Sequence, residues 1–280
     1  MIFLSTGGFR NKTAFHTSSL YLKNNIKNIE LSGGLYSKNI IKELQKLSKI
    51  SNLRLHNYFP PPKQPFVLNL CSTKKENVNK TIKHIKQGIV LAKKTGSKYF
   101  SFHAGFRFDP KVEELGKKMS KQEILSKEFA YKIFRKRVIS LNKFAKKNNI
   151  KLLIENNVIS EKNIKIFKKN PFLLTNPKDI KFFFKNIDEN IGLLLDVAHF
   201  KVSSNSEKFN LKKGYFEIYP FIKAIHLSDN NGKEDTNSLI KNSSWFLKIL
   251  KKELDYYSIE VYSKNIRQLK NQINLVKKYL

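Results

Sequence analysis

The chain has 280 residues, and 40% of them are hydrophobic, which is enough to bury one sizeable core. We therefore predict a single domain spanning residues 1–280. No stretch approaches the roughly 20 consecutive apolar residues that a membrane helix needs, and the short apolar start, residues 1–6, has no basic leader. These features predict a soluble, cytoplasmic protein without a membrane partner. The one cysteine, Cys71, excludes a disulfide framework within the chain.

The formal net charge of +32 would ordinarily indicate a polyanion such as nucleic acid as the partner, because clustered cations release counterions from phosphates. Only six of the 54 basic residues are arginine, and the lysines are accompanied by abundant Asn, Ile, Phe and Tyr. These residue types share A/T-rich codons, so a bias in base composition explains the charge without a function. Lysines scattered over helix faces are usually solvated. We therefore rank nucleic acid second among the candidate partners.

Short β-branched or aromatic segments alternate with longer polar segments of helical period along the whole chain. This pattern predicts βαβ units and a parallel sheet. Eight segments predict strands, at 2–6, 28–32, 52–58, 99–105, 151–156, 191–199, 221–229 and 257–262. Helices are predicted at 37–49, 76–95 and 121–148, and over the apolar stripe of Ile266, Leu269, Ile273, Val276 and Leu280. The sequence thus predicts an α/β fold, a single (β/α)8 TIM barrel.

Nearly every predicted strand carries a polar residue at or near its C-terminal end, where such a barrel builds its active site. These residues are Glu30, His56, His103, Glu155, Asp196, His199, His226, Asp229 and Glu260. Imidazole and carboxylate bind zinc, manganese and similar ions, and a buried carboxylate is costly unless it is paired or coordinated. Singly, each has a structural alternative: a strand-end histidine is often structural, and Glu155 would suit a helix cap. Together they predict a divalent metal site.

The remaining polar residues near these segments receive simpler interpretations. His16 and His84 fall in predicted helix or loop, and we interpret both as structural. Asp229 is predicted to orient His226 rather than to bind metal itself.

The strand ends resemble those of the xylose-isomerase-like TIM barrel superfamily, which contains sugar-phosphate isomerases and epimerases together with endonuclease IV. The resemblance covers nearly the whole chain. It is carried by Ile29-Glu30-Leu31, Phe102-His103-Ala104-Gly105, Ile154-Glu155-Asn156, Leu195-Asp196-Val197-Ala198-His199, His226-Leu227-Ser228-Asp229 with Gly232 and Asp235, and Ile259-Glu260. It implies one divalent ion (Zn, Mn, Mg or Co) held by Glu155, Asp196, His226 and Glu260. His199 would lie beside this ion and touch substrate or another ion.

The two branches of the superfamily differ in how many ions they would hold. In the endonuclease branch, His56 and His103 would join Glu155 around a second ion, and His199, Asp235 and one more histidine would bind a third. That last histidine is expected two residues after Asp235, where this chain has Asn237. In a one-metal isomerase, His56 and His103 would instead bind substrate hydroxyls, as would Glu30. The metal count is left open.

Our leading hypothesis is isomerisation or epimerisation of a sugar, free, phosphorylated or nucleotide-linked, by proton transfer next to a carbonyl. The metal would polarise that carbonyl. Glu155 and Glu260 would relay the proton as base and acid, and His199 would orient a hydroxyl. Lys201 and Arg107 are candidate anchors for a substrate phosphate, with solvent exposure of Lys201 and loop packing of Arg107 as the alternatives.

Two other functions compete with this hypothesis. The first is an endonuclease IV-like, metal-dependent phosphodiesterase acting at abasic DNA sites, which the basic charge favours and Asn237 opposes. The second is a barrel that binds sugar without catalysis. A homo-oligomer is compatible with either function and with the leading hypothesis.

Overall fold

The computed structural model describes residues 1–9 and 11–280, and within them eight parallel strands close into a barrel in chain order. The strands are β1 (Ile2–Ser5), β2 (Asn28–Leu31), β3 (Asn52–His56), β4 (Tyr99–His103), β5 (Lys151–Glu155), β6 (Ile191–Asp196), β7 (Ile222–Leu227) and β8 (Tyr256–Ile259). The prediction of an α/β, (β/α)8 TIM barrel is therefore confirmed. The prediction of one domain over 1–280 stays a prediction.

Helices follow the strands and cover the outside of the barrel. They are α1 (Ala14–Lys23), α2 (Ile40–Ser48), α3 (Lys75–Lys94), α4 (Lys127–Lys147), α5 (Glu161–Phe167), α6 (Pro177–Phe184), α7 (Val197–Glu207), α8 (Leu211–Ile218) and α9 (Ile266–Lys277). In α9, Leu269 and Val276 are fully buried, as the apolar stripe predicts, whereas Leu280 lies beyond the helix and is exposed. Across residues 1–9 and 11–280, no helix combines the length and the apolarity needed to cross a membrane.

Two layers of apolar side chains account for the barrel. The larger core lies between the strands and the helices and includes Ile29, Leu55 and Phe100. A smaller buried cluster includes Phe3 and Tyr256, together with Tyr99, Leu153, Leu194 and Ala224. Because strands of a parallel barrel are covered on both faces, they carry near-continuous apolar runs, as the entirely buried β6 shows.

Helix capping explains where several predicted boundaries shift. The helix predicted at 121–148 begins at Lys127, because the Ser126 side chain accepts the backbone N–H of Phe129. The strand predicted at 191–199 was too long, because it ends at Asp196, whose side chain caps α7. His199 therefore lies in the first turn of a helix and not on a strand.

The register of the sheet brings the polar strand ends to one level. Across neighbouring strands, His103 pairs with Glu155, and Asp196 pairs with His226. The backbone N–H of Glu260, the residue after β8, donates to the carbonyl of Leu227 at the end of β7. Side chains that are far apart in sequence therefore meet at the C-terminal mouth of the barrel.

Candidate metal centre

Four side chains from neighbouring strands converge at the barrel mouth. Glu155, Asp196, His226 and Glu260 each offer one ligand atom, and these atoms all lie within 4.8 Å of one another. The Nδ1 atom of His226 lies 3.2 Å from Oε1 of Glu155 and 3.0 Å from Oε2 of Glu260. We call these four residues the cage. Three of them are fully buried, and only Glu260 is partly open to solvent.

The donor chemistry of the cage fits a divalent cation. Oε2 of Glu155 and Oδ2 of Asp196 are buried and accept no hydrogen bond. A buried carboxylate oxygen without a donor is costly, and a coordinated cation removes that cost. Three carboxylates and one imidazole are also ligands that Zn, Mn and similar ions accept. Which ion binds is not fixed by this donor set.

Two more histidines approach the same carboxylate from the neighbouring strands. Oε2 of Glu155 lies 3.1 Å from Nε2 of His56 and 3.2 Å from Nδ1 of His103. The ring of His56 is held from its other side, because its Nδ1 lies 2.9 Å from the hydroxyl of Ser101. His56 with Glu155 and His226, and His103 with Glu155 and His199, form two further groups that are compact enough for an ion.

His199 reaches the site from the first turn of α7. Its Nδ1 donates to the carbonyl of Asn156 at 2.9 Å, so its Nε2 points to Oδ2 of Asp235 at 3.2 Å. The side chain of Asn156 in turn binds the backbone of Asp196, accepting its N–H at 2.7 Å and donating to its carbonyl. Asn156 therefore positions both a cage ligand and His199, a role that we did not predict from its place after Glu155.

Glu30 lies inside the barrel and does not reach its mouth. It is completely buried, with Oε1 at 3.0 Å from Nε2 of His226 and 2.7 Å from the hydroxyl of Ser258. The imidazole ring of His226 thus separates Glu30 from Glu155 and Glu260. This environment disfavours the contact with substrate that we predict from the sequence.

The two candidate phosphate anchors are both engaged by the protein. The guanidinium of Arg107 donates to the carbonyls of Leu125 at 2.8 Å and Asn170 at 2.5 Å, which is the loop-packing alternative. The ammonium of Lys201 donates to Oδ1 of Asp229 at 2.7 Å and to the carbonyl of Asn230. Both cations therefore already donate to groups of the protein.

Asp229 does not orient His226, so that prediction was wrong. Its Oδ1 accepts from Lys201, and its Oδ2 accepts from the hydroxyl of Ser244 at 2.6 Å. Asp229 follows β7 by two residues and turns outward toward α7, whereas His226 points into the barrel. The residue that touches the far nitrogen of His226 is Glu30.

Burial and charge shift the pKa values of the cage in opposite directions. Burial alone would raise the pKa of Glu155, but the three surrounding imidazoles outweigh it and lower that pKa well below its ordinary value. Burial raises the pKa of Asp196 to about 7. Burial opposes protonation of His226, but Glu30 and Glu155 outweigh it and raise its pKa well above the ordinary value. Without an ion, protonated histidine therefore balances the carboxylates, which is the charge a divalent cation would supply.

One cation inside the barrel was missed in the sequence. Arg54 is only 8% exposed, and its guanidinium carbon lies 4.6 Å from the ring centre of Phe3 and 5.6 Å from that of Tyr256. It pairs in register with Glu30 across β2 and β3. An arginine within a short strand gives no signal that distinguishes it from a surface residue. Only closure of the barrel shows that it faces inward over aromatic rings.

The fold and the cage define a (β/α)8 barrel with a candidate metal centre at the C-terminal ends of its strands. The model of one protein family, described as the xylose isomerase-like TIM barrel, matches residues 23–278. The chain therefore belongs to this family, and the resemblance seen in the sequence is confirmed. No curated protein matches the chain.

Solved structures share the fold over almost the whole chain at low identity. A D-tagatose 3-epimerase-like protein is 19% identical with a TM-score of 0.75, covering 99% of this chain and 96% of its own. The 3-keto-D-glucoside 4-epimerase from E. coli is 12% identical with a TM-score of 0.68, covering 99% and 98%. Endonuclease IV from Thermus thermophilus is 10% identical with a TM-score of 0.59, covering 99% and 98%.

Proposed function

We propose that the protein is a metal-dependent isomerase or epimerase that acts on a sugar or sugar phosphate by proton transfer next to a carbonyl. The observation that carries this proposal is the cage, in which three carboxylates and one imidazole bring ligand atoms within 4.8 Å of one another at the mouth of the barrel. The names of two structural neighbours, both epimerases of carbohydrates or similar to them, agree with it. One fold hosts many chemistries, so the proposal rests on the side chains of the cage rather than on the barrel.

The residues of the chain supply distinct parts of this reaction. Glu155, Asp196, His226 and Glu260 would hold a divalent ion, which supplies a Lewis acid for the substrate carbonyl. Glu260 has the only cage carboxylate that is open to solvent, with 13% of its side chain exposed. It is therefore the cage carboxylate that a substrate at the barrel mouth can contact, and it takes the proton from the carbon next to the carbonyl. The carboxyl of Glu260, protonated in that step, returns the proton to the neighbouring carbon in an isomerisation; an epimerisation would need Glu155 to be protonated first and to donate from the opposite face.

His199 and His103 lie next to Glu155 at the barrel mouth. Burial lowers the pKa of His103 to about 4, so this ring is neutral at pH 7 and can accept a hydrogen bond from a substrate hydroxyl. Its side chain is 30% exposed, which leaves it open to a ligand at the mouth. His199 is tied to the carbonyl of Asn156 and presents its Nε2 beside Asp235. These rings favour a polyhydroxy substrate over an apolar one.

The test is exchange of solvent deuterium into sugars by Glu260→Gln. Wild-type protein loaded with Mn²⁺ or Co²⁺ is expected to exchange the hydrogen next to the carbonyl of at least one ketose in a panel. We expect Glu260→Gln to slow this exchange at least about 100-fold, in the range of general acid–base effects. Glu189→Gln is the matched control, because Glu189 is exposed two residues before the start of β6, at the opposite end of the barrel. Undiminished exchange by Glu260→Gln, or no exchange by wild type with any sugar, contradicts the proposal.

A second candidate function, cleavage of DNA at abasic sites, is favoured by the two extra histidines. His56 and His103 both approach Oε2 of Glu155, as a second ion would require. Against it, the place of the histidine expected at a third ion is taken by Asn237, a buried residue whose amide oxygen accepts from Ser228. Incision of a duplex with one abasic site by Zn²⁺-loaded protein would reverse our ranking. If the protein leaves this duplex intact under conditions where it exchanges deuterium into sugars, the ranking is supported.

A further inference from the structure

Glu30 and His226 form a contact that crosses the inside of the barrel. Glu30 belongs to β2 and His226 to β7, two strands that are not neighbours in the sheet. The carboxylate oxygens of Glu30 lie 3.0 and 3.2 Å from Nε2 of His226, and both side chains are completely buried. Because water cannot reach either group, each must find its hydrogen-bond partner within the protein, and here each is the partner of the other.

The two nitrogens of His226 face different partners. Nδ1 faces the cage, with Glu155 and Glu260 at 3.2 and 3.0 Å, while Nε2 faces only Glu30 among the carboxylates. Neutral imidazole carries a proton on one nitrogen and a lone pair on the other. A carboxylate at Nε2 holds the proton there, which leaves the lone pair of Nδ1 directed at the cage.

Glu30 differs from the carboxylates of the cage in its hydrogen-bond partners. Glu30 is satisfied by protein groups, since the hydroxyl of Ser258 donates to Oε1 at 2.7 Å and His226 lies against both oxygens. Asp196, by contrast, keeps one buried oxygen that accepts no hydrogen bond, and Oε2 of Glu155 meets only the rings of His56 and His103 without accepting a well-aligned hydrogen bond. Both oxygens of Glu30 therefore have a protein partner inside the barrel, and the carboxylates of the cage, not that of Glu30, are placed to hold an ion.

We propose that Glu30 is a positioning residue for the metal centre: it fixes the ring and the proton of His226, with Ser258 fixing Glu30. The inference rests on the proposed function, because it requires that the cage binds an ion. Ser258 is well placed for this part, since it lies on β8 and pairs in register with His226. Partners of this kind that hold a ligating histidine commonly change metal affinity about 10- to 100-fold when they are removed.

The experiment measures metal affinity directly, by competition with a chromophoric chelator for Zn²⁺ and by titration with Co²⁺ followed in the visible spectrum. We expect Glu30→Ala to weaken binding about 10- to 100-fold and to change the Co²⁺ absorption bands. Glu30→Gln keeps the shape and an acceptor oxygen, so it is expected to recover part of the loss. Ser258→Ala leaves Glu30 in place with one donor fewer, and its effect is expected to be smaller than that of Glu30→Ala.

The matched control is Glu207→Gln, which alters a carboxylate outside the site. Glu207 ends α7 and accepts from Thr175, Asn170 and Asn176, so its loss should lower thermal stability without changing metal affinity. If Glu30→Gln, Glu30→Ala and Ser258→Ala all bind metal as wild type does, or weaken it no more than Glu207→Gln, the inference is overturned. Should Glu30→Ala fail to fold, Glu30→Gln and Ser258→Ala decide the question.

The same titrations keep the two proposals apart. Wild-type protein that binds neither Zn²⁺ nor Co²⁺ contradicts the proposed metal centre and with it the inference. Wild-type protein that binds metal while the Glu30 variants match it contradicts the inference alone.

Discussion

Replacing Asp196 by Asn is expected to have opposite consequences for the metal-free and the metal-bound protein. In the metal-free protein, Oδ2 of Asp196 is buried without a donor, and burial raises the pKa of this carboxyl to about 7. An unsatisfied buried group of this type costs about 1–3 kcal/mol. Asparagine carries no charge there, so we expect metal-free Asp196→Asn to unfold at the same temperature as wild type or a higher one.

The substitution also spares the local backbone. Oδ1 of Asp196 accepts the N–H of His199 at 2.7 Å and so caps α7, and asparagine caps a helix about as well as aspartate. Asp196→Ala is therefore the informative control. It removes the cap, at a cost of about 1 kcal/mol, and should lower the melting temperature of the metal-free protein.

With metal bound, we expect wild type to melt at a higher temperature than Asp196→Asn. An ion present at about 100 times its dissociation constant stabilises wild type by about 2.7 kcal/mol, or a rise of about 5–11 °C in a chain of this size. If Asn weakens binding about 100-fold, the same ion concentration adds only about 0.4 kcal/mol, or under about 2 °C. Differential scanning fluorimetry with and without Zn²⁺ measures both effects. An equal rise in wild type and Asp196→Asn, or a large fall in the metal-free variant, would refute the reasoning.

Two further predictions concern histidines around and outside the cage. Burial lowers the pKa of His84 to about 4, below the roughly 6.5 of an unfolded chain, so its contribution to stability is present above pH 6.5 and is lost as the pH falls toward 4. Urea unfolding at pH 7.5 and pH 5 should show that His84→Gln loses about 2 kcal/mol less than wild type over this interval, and equal losses would contradict the assigned cause. Because neither His56 nor His103 belongs to the cage, a His56→Asn, His103→Asn double variant should keep one tightly bound ion through equilibrium dialysis. Loss of all metal from that variant would place the main ion elsewhere.

The barrel and its order of strands were predictable because each strand repeats the same buried apolar pattern. The strand ends were predicted less well, because the chain can continue as strand, loop or helix after a polar residue that closes an apolar run. Asp196 shows this clearly, because its side chain caps α7 and moves His199 from the predicted strand into a helix. Capping of that kind follows from backbone angles that periodicity does not reveal.

Residue type indicated the chemistry of the site, but not which atom each side chain presents. Glu155 ends β5 and Glu30 lies one residue before the end of β2. Both oxygens of Glu30 nevertheless contact Ser258 or His226 inside the barrel, whereas Oε2 of Glu155 faces His56 and His103. Asp229 was predicted to orient His226, but the segment after β7 directs it to Lys201 instead. Contacts across the barrel depend on its closure and cannot be obtained from spacing along the chain.

Anomalous diffraction from crystals soaked in Zn²⁺ or Mn²⁺ tests the cage most directly. We expect a strong peak at about 2.0–2.3 Å from ligand atoms of Glu155, Asp196, His226 and Glu260. We also expect the peak to be lost or much weakened in Asp196→Asn. A peak outside this group, or none at saturating metal in wild type, would contradict the claim that these four side chains share an ion.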